Sequence, residues 1–450
     1  MQLHPYQIEG VQFALKHAVP GKRGNVLIAD EMGLGKTVQA IGYINANPHI
    51  KKALIICPLS LKLNWQRELE TWLEDKERTS IQVVHYDAIH KTGISGELDL
   101  LIVDEAQLIK NPKTARHLQV KTISKMAKHV IMLTGTPFEN KPIEIWPLLQ
   151  ILKPEVWDPP GYLYKKTENG KRIKEKVGAG EGANFFSIAK SFFGAKPITI
   201  WKKVRGKATS VTHWEFNGSS NEEEFKSWLR KTGMIRRLKK DVLTNLPPKQ
   251  RQLLLLPTVD ALRDTFAENL TEENFHAEIA KLQASKAAFN EWSKKRAEQG
   301  TAKVEFVVEH VQRCIENGIE KIIVFAHHRE VILELAKHLV WAGCIVMNAE
   351  MNAEERQNCV DVFNDDPNCK VIIGSISVMG VGYNMNISDL VVFAEIDPVP
   401  GRIFQAEDRA HRFGKEGNLL IQFLVFDGTL EARICQIYSK KVDVIGKVLG

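Results

Sequence analysis

The stretch Ala29-Asp-Glu-Met-Gly-Leu-Gly-Lys-Thr37 decides how the rest of the chain is read. An apolar run over residues 25–29 leads into it, and a helical pattern from Val38 onward leads out. Strand, glycine-bearing turn and helix N-terminus, in that order, form a cradle for phosphates. Backbone N–H groups converge there, and the helix dipole favours negative charge. Gly33 and Gly35 suit a backbone that takes unusual φ values close to an anion. Lys36 is placed to reach the β- and γ-phosphates of a nucleotide, and Thr37 to ligate Mg²⁺. The common pattern carries another glycine five residues before Gly35, where this chain has Asp30. By itself, the stretch also fits an ordinary glycine-rich turn of an α/β domain.

The chain has 450 residues, 44% of them hydrophobic, enough to bury large cores in two or three domains. A formal net charge of +7 permits a nucleic-acid partner without requiring one. The six cysteines are dispersed and form no Cys-x-x-Cys pair, so they read as reduced thiols with no zinc site. No apolar run approaches the ~20 residues of a membrane span. Polar residues follow Met1 at once, so no signal peptide is expected and the protein reads as soluble and intracellular.

Apolar strand candidates at 25–29, 53–57, 81–85, 98–103 and 130–134 alternate with amphipathic segments, the pattern of a parallel sheet covered by helices. Alternation resumes with strand candidates at 321–326, 343–347, 370–374, 390–394 and 419–425. Between these blocks the character changes. Residues 156–232 hold a Pro-Pro-Gly turn, a glycine-rich piece and basic clusters interleaved with Tyr162, Tyr164, Trp201 and Trp214. Residues 258–302 are rich in Ala, Glu, Lys and Gln, which favours exposed helices. Two α/β lobes joined by a divergent middle is the simplest architecture.

Two further clusters carry chemistry. Leu98-Asp-Leu-Leu-Ile-Val103 reads as a buried strand that delivers Asp104 and Glu105 at its carboxyl end, where open α/β sheets bind ligands. A carboxylate there can hold Mg²⁺ on the nucleotide, the role expected of Asp104, while Glu105 orients the attacking water. An acidic turn after a strand is the competing reading. After another apolar strand, Leu133-Thr-Gly-Thr-Pro137 offers two hydroxyls able to sense a γ-phosphate. In the second block, Gln405-Ala-Glu-Asp-Arg-Ala-His-Arg412 has helical character, with Gly414 as its stop. Helical spacing would put Gln405, Arg409 and Arg412 on one face. Guanidiniums stabilise the charge of phosphoryl transfer well. A solvated helix in which Glu407 and Asp408 pair with these arginines is the alternative.

These pieces, in this order, resemble the superfamily 2 helicase-like motors, and specifically the Swi/Snf family of DNA translocases. Asp30-Glu-Met-Gly-Leu-Gly-Lys-Thr37 matches that family's own departure from the common phosphate loop. Leu3-His-Pro-Tyr-Gln7 looks like its adenine-reading segment, with Gln7 in the contacting role. Thr134 to Asn140, Met234-Ile-Arg-Arg-Leu-Lys-Lys-Asp-Val242, Leu246-Pro-Pro-Lys249, Ser375 to Asn384 and Gln405 to Gly414 match its other motifs. Phe325-Ala-His-His328, Asn217 to Asn221 and Val391 to Glu395 bring the chain nearest to the annealing-helicase branch. His4, Gln107, Met379, Pro398 and Lys415 depart from the family pattern, and none of them removes a catalytic group.

The resemblance implies two RecA-like parallel-sheet lobes with helical insertions between them. Lobe 1 would span 1–155, a basic, partly helical insertion 156–232, a brace-like link 233–257, a helical insertion 258–302 and lobe 2 303–450. ATP and Mg²⁺ are the implied cofactors. Nucleotide contacts are expected from Gln7, Gly33, Leu34, Gly35, Lys36, Thr37 and Gly382, metal contacts from Thr37 and Asp104, and catalysis from Lys36, Asp104, Glu105, Gln405, Arg409 and Arg412. The implied activity is ATP-driven translocation on double-stranded or forked DNA, remodelling or annealing it. A strand-separating DNA or RNA helicase and an ATP-gated DNA clamp with negligible hydrolysis are the alternatives. A monomer without membrane contacts is expected, cytoplasmic in a prokaryote or virus and nuclear in a eukaryote. The branch's accessory domains are not expected, since the chain starts at the adenine segment.

Overall fold

Each apolar run of the first block is a strand, in a computed structural model that describes residues 2–436 except 18–23, 95, 138–141, 167–171, 180–183, 205–206, 217, 244–245, 258–261, 264–270, 272–285, 381 and 398–399. They are β1 (Gly24–Ile28), β2 (Lys52–Cys57), β3 (Ser80–His85), β4 (Leu98–Val103) and β5 (Ala127–Leu133). The intervening segments carry helices, so the strands can pair in parallel. β1 is buried along its whole length and β4 nearly so, as strands covered on both faces must be. The chain divides after Leu238 into two compact units.

The segment expected to be a partly helical insertion holds two antiparallel hairpins besides its helices. One pairs β6 (Gly161–Lys166) with β7 (Arg172–Val177), the other β8 (Lys196–Val204) with β9 (Lys207–Glu215). Alternating Thr, Ile, Trp and Val in 198–212 suits strands better than helices. Helices Phe185–Phe192 and Glu222–Lys231 pack on a fully buried Trp157, with ring centroids of Phe192, Phe225 and Trp228 at 6.5, 5.9 and 6.1 Å.

β10 (Met234–Ile235) then pairs with β1, so the first sheet has the order β10-β1-β5-β4-β2-β3, parallel throughout. Entry into β10 needs Gly233. Its φ is +107°, and a Cβ there would lie 2.7 Å from the Asn25 carbonyl oxygen. Residues 233–257, expected as a link, thus supply a strand to each sheet. β11 (Lys249–Leu256) opens the second sheet, order β11-β16-β15-β12-β14-β13, also parallel.

The remaining strands are β12 (Ile322–Ala326), β13 (Ile345–Met347), β14 (Val371–Ser375), β15 (Leu390–Phe393) and β16 (Leu419–Phe426), at the five apolar runs of the second block. Phe325, Phe393 and Phe423 stand in register on neighbouring strands and stack, with centroids 5.1 and 4.8 Å apart. Helix Lys286–Glu316 packs Val304, Val307 and Val311 into a second core, with Ile322, Val324 and Val392 of the same strands β12 and β15. Among the described residues, no helix is long and apolar enough to cross a membrane.

Candidate nucleotide site

In the first unit β1, β5 and β4 are neighbours, so whatever follows each strand is brought to one edge of the sheet. Asp30 to Thr37 follow β1, Thr134 follows β5, and Asp104 and Glu105 follow β4. The loop after β1 turns through Gly33 (φ +85°) and Gly35 (φ +69°), both left-handed, and Gly35 caps the helix Lys36–Ala46. Thr37 is the second residue of that helix. Lys36 donates from Nζ to the carbonyls of Asp30 (2.9 Å) and Glu31 (3.4 Å). Burial pulls its pKa down, against the opposing pull of Glu105, Asp30 and Asp104. The lysine and the two motif carboxylates therefore share one electrostatic centre.

Gln7 lies on helix Pro5–His17, far from the loop in sequence and against it in space. Its Nε2 donates to the Leu34 carbonyl (3.4 Å), and its Oε1 accepts from His4 N (2.9 Å). His4 stacks on Tyr6 at 5.7 Å between centroids.

Asp30, which breaks the common glycine pattern, turns its carboxylate to Arg237 and Gln39. It is fully buried and serves as an anchor. Oδ1 accepts from Arg237 N and Nε, both at 3.0 Å, and Oδ2 accepts from Gln39 Nε2 at 2.9 Å. Arg237 also donates to Gln39 Oε1 (2.8 Å) and to the Tyr6 carbonyl. The neighbouring Arg236 donates to the carbonyls of Ala29 (2.7 Å) and Gly135 (3.3 Å). Spacing rules do not reveal bonds across 207 residues, and the Arg-Arg pair in 234–242 was their only visible sign.

Asp104 and Glu105 sit in unlike surroundings. Asp104 accepts from Trp65 Nε1 on Oδ2 (2.8 Å) and from its own neighbour's N–H on Oδ1 (2.8 Å), while its carbonyl accepts from the Tyr86 hydroxyl (2.7 Å). Burial first, and Glu105 second, push its carboxyl up to about 7. Glu105 adopts φ +49°, a left-handed conformation that costs a non-glycine residue about 1–3 kcal/mol and marks functional sites. Two adjacent carboxylates are a donor set suited to a hard divalent cation.

Gln107 ties this pair to the next strand. Its Nε2 donates to Glu105 Oε2 (2.6 Å) and its Oε1 accepts from the Thr134 hydroxyl (2.7 Å), which in turn accepts from Thr136 N (3.1 Å). An amide can donate and accept at once without titrating, which suits it to this bridge. Trp65, Tyr86 and Gln107 had no signal in the sequence beyond the last one's departure from the family pattern. The rest of that motif, Phe138 to Asn140, lies outside the described residues, as does Pro398.

In the second unit, the expected helix through Arg412 stops early. It spans Pro400–Glu407, and Asp408 to Gly414 form turns. Arg409 and Arg412 are brought together by a shared acceptor, not by a helix face. Both Nη1 atoms donate to the Tyr383 carbonyl, at 3.4 and 3.2 Å, and Arg409 Nε donates back to the Gln405 carbonyl at 3.0 Å. Gly382, beside Tyr383, is buried with φ +96°.

Acidic neighbours explain why the helix ends. Glu407 and Asp408 do not pair with these arginines. Glu407 binds Lys249 (3.0 Å) and Arg251 (2.6 Å), and Asp408 binds Lys239 (2.9 Å) and Lys249 (3.1 Å). Burial would raise the Asp408 carboxyl, but Lys239 and Lys249 hold it well below the usual range. Lys239 also donates to the His411 carbonyl, and His411 Nε2 donates to the Pro247 carbonyl (2.9 Å). The basic clusters at 165–172 and 202–207 have side chains outside the described residues.

Comparison with known proteins identifies the family. The SNF2-related domain matches residues 6–93 and 79–314, and the helicase conserved C-terminal domain matches 302–414. A SWI/SNF-related matrix-associated actin-dependent regulator of chromatin subfamily A-like protein 1 from Xenopus tropicalis is 28% identical over 469 residues, covering 99% of this chain and 45% of the relative. The human DNA annealing helicase and endonuclease ZRANB3 is 28% identical over 475 residues, covering 100% of this chain and 40% of the relative. The chain thus spans about half the length of the curated relatives it matches. Among solved structures, the Sulfolobus solfataricus SWI2/SNF2 ATPase core in complex with dsDNA is similar at 22% identity and a TM-score of 0.41, covering 100% of this chain and 93% of that one. With the SNF2-related domain matched across most of its length, the chain belongs to the SNF2 family of helicase-type ATPases.

Proposed function

We propose that this protein is an ATP-driven translocase on double-stranded DNA that remodels or anneals it. The observation that carries the proposal is the convergence of Lys36, Asp104, Glu105 and Thr134 on the ends of three neighbouring strands, in a chain of the SNF2 family. Lys36 and the loop N–H groups hold the phosphates, Gln7 reads the adenine beside Leu34, and Glu105 orients the attacking water. Thr37 and Asp104 would hold Mg²⁺, which when bound neutralises charge on the β- and γ-phosphates. Within the second unit, Gln405, Arg409 and Arg412 are the residues proposed for catalysis and Gly382 for nucleotide contact.

The Thr134–Gln107–Glu105 chain lets occupancy of the γ-phosphate position be felt by the residue that orients water. Duplex DNA as the track is supported by the family and by the names of the relatives, two of which act on DNA or chromatin. Phosphate contacts, which carry no sequence information, fit a motor that must move along any sequence. The basic insertion segments 165–172 and 202–207 are candidates for them.

Trp65→Phe keeps the bulk of the ring and removes its donor to Asp104 Oδ2. Loss of a group that orients a metal ligand typically costs 10- to 100-fold in metal affinity. The Mg²⁺ midpoint for ATP turnover should rise by about 10-fold on that basis, and an unchanged midpoint would contradict the Asp104 assignment.

Displacement of a third strand from intact duplex DNA tests the track. ATP-dependent triplex displacement without unwinding of a tailed duplex is expected. Unwinding of the tailed duplex with no triplex displacement would make the protein a strand-separating helicase instead.

A further inference from the structure

Two buried ion-pair anchors, one in each unit, are almost adjacent in sequence. Arg237 ion-pairs with buried Asp30 in the phosphate loop of the first unit, and Lys239 ion-pairs with buried Asp408 beside Arg409 in the second. Only Leu238 separates them.

Neither anchor is a loose surface contact. Asp30 receives the Arg237 backbone N–H as well as its guanidinium, and the Glu31 N–H donates to the Arg237 carbonyl (2.9 Å). The Lys239 and Asp408 side chains are 4% and 3% exposed. Buried pairs of this kind tolerate little change in geometry, because a displaced partner leaves an uncompensated charge. Arg237 moves with the loop that would hold phosphate, and Lys239 with the turn that presents Arg409 and Arg412.

We propose that Arg237 and Lys239 are positioning residues that make one short stretch of chain report the state of the phosphate loop to the arginine turn. The proposal rests on the ATP-site reading above and adds a route of coupling to it. Neither residue touches nucleotide in this account; each acts through the acidic residue it holds. On this proposal the coupling depends on the length of the link at Leu238, the one residue between the two anchors.

Inserting two glycines after Leu238 lengthens the link by up to ~7 Å while leaving both ion pairs able to form. The measurement is hydrogen exchange with and without a non-hydrolysable ATP analogue and Mg²⁺. In the unaltered protein, the analogue should slow exchange in residues 30–39 and in 405–414. In the insertion variant, protection should persist in 30–39 and vanish in 405–414. A second insertion of two glycines after Gly93, in an exposed turn of the first unit, should behave as the unaltered protein.

Two functional measurements accompany it. The Leu238 insertion should lower DNA-stimulated turnover by roughly 10-fold or more, within the usual range of coupling between sites, with analogue affinity within twofold. Lys239→Met should do the same, and Lys239→Arg should restore part of the rate. Protection of 405–414 retained in the Leu238 insertion variant would overturn the proposal, as would protection of 30–39 alone in the unaltered protein. Protection of neither stretch in the unaltered protein would refute the ATP-site reading itself.

Discussion

Lys36→Ala and Glu105→Gln are each expected to abolish DNA-stimulated ATP hydrolysis, for different reasons. Lys36 donates from Nζ to the carbonyls of Asp30 and Glu31, and burial lowers its pKa against the opposing pull of Glu105, Asp30 and Asp104. Truncation to alanine removes the only side-chain cation that the loop Ala29 to Thr37 contains, and nucleotide affinity should fall along with turnover. Glu105→Gln is the subtler change. A glutamine oxygen can still accept from Gln107 Nε2, so the Thr134–Gln107 bridge survives, while the charge that orients and polarises water is gone. General-base contributions of about 10²–10⁴ set the expected loss. Phosphate release measured at saturating ATP and DNA checks both variants. Activity near the unaltered level in either would sink the site assignment.

Arg412→Ala should leave nucleotide binding within a few-fold of the original while turnover drops by about 10³ or more, the scale on which arginine fingers act. The local structure supports a clean separation of the two effects. Arg409 still reaches the Tyr383 carbonyl from the same turn, at 3.4 Å. The Glu407 and Asp408 pairs with Lys239, Lys249 and Arg251 do not involve Arg412, so the turn keeps its place. Binding of a fluorescent ATP analogue, set beside kcat, resolves the two. A large loss of affinity with kcat preserved would move Arg412 to a binding role.

Much of the architecture was legible because buried parallel strands advertise themselves. β1, β4 and β12 are short apolar runs bounded by turn residues, and such runs need no knowledge of distant partners. The same holds for the loop at Gly33 to Thr37, whose chemistry is local. What stayed hidden depends on contacts far along the chain. β10 is two residues long and exists because β1 offers it an edge. The helix before Arg409 looks continuous by periodicity, yet ends at Glu407 because acidic side chains turn toward Lys249 and Arg251 on β11.

Asp30 shows the gap most plainly. As a letter it is a departure from a glycine pattern, and the resemblance to Swi/Snf proteins makes it informative. As a structure it is a buried acceptor for Arg237 and Gln39, which explains why a carboxylate rather than a hydrogen atom stands there. The same applies to Gln107. As a letter it is a departure from the family pattern, whereas in the structure its amide makes both of the bonds that join Glu105 to Thr134.

ATP hydrolysis by the purified protein, measured alone and with single-stranded, duplex and forked DNA at fixed Mg²⁺, tests the central claim most directly. Hydrolysis strongly stimulated by duplex or forked DNA, and weakly by single strands, is the predicted result. Hydrolysis that is negligible with every DNA, despite binding to duplex, would contradict it and leave an ATP-gated clamp in its place.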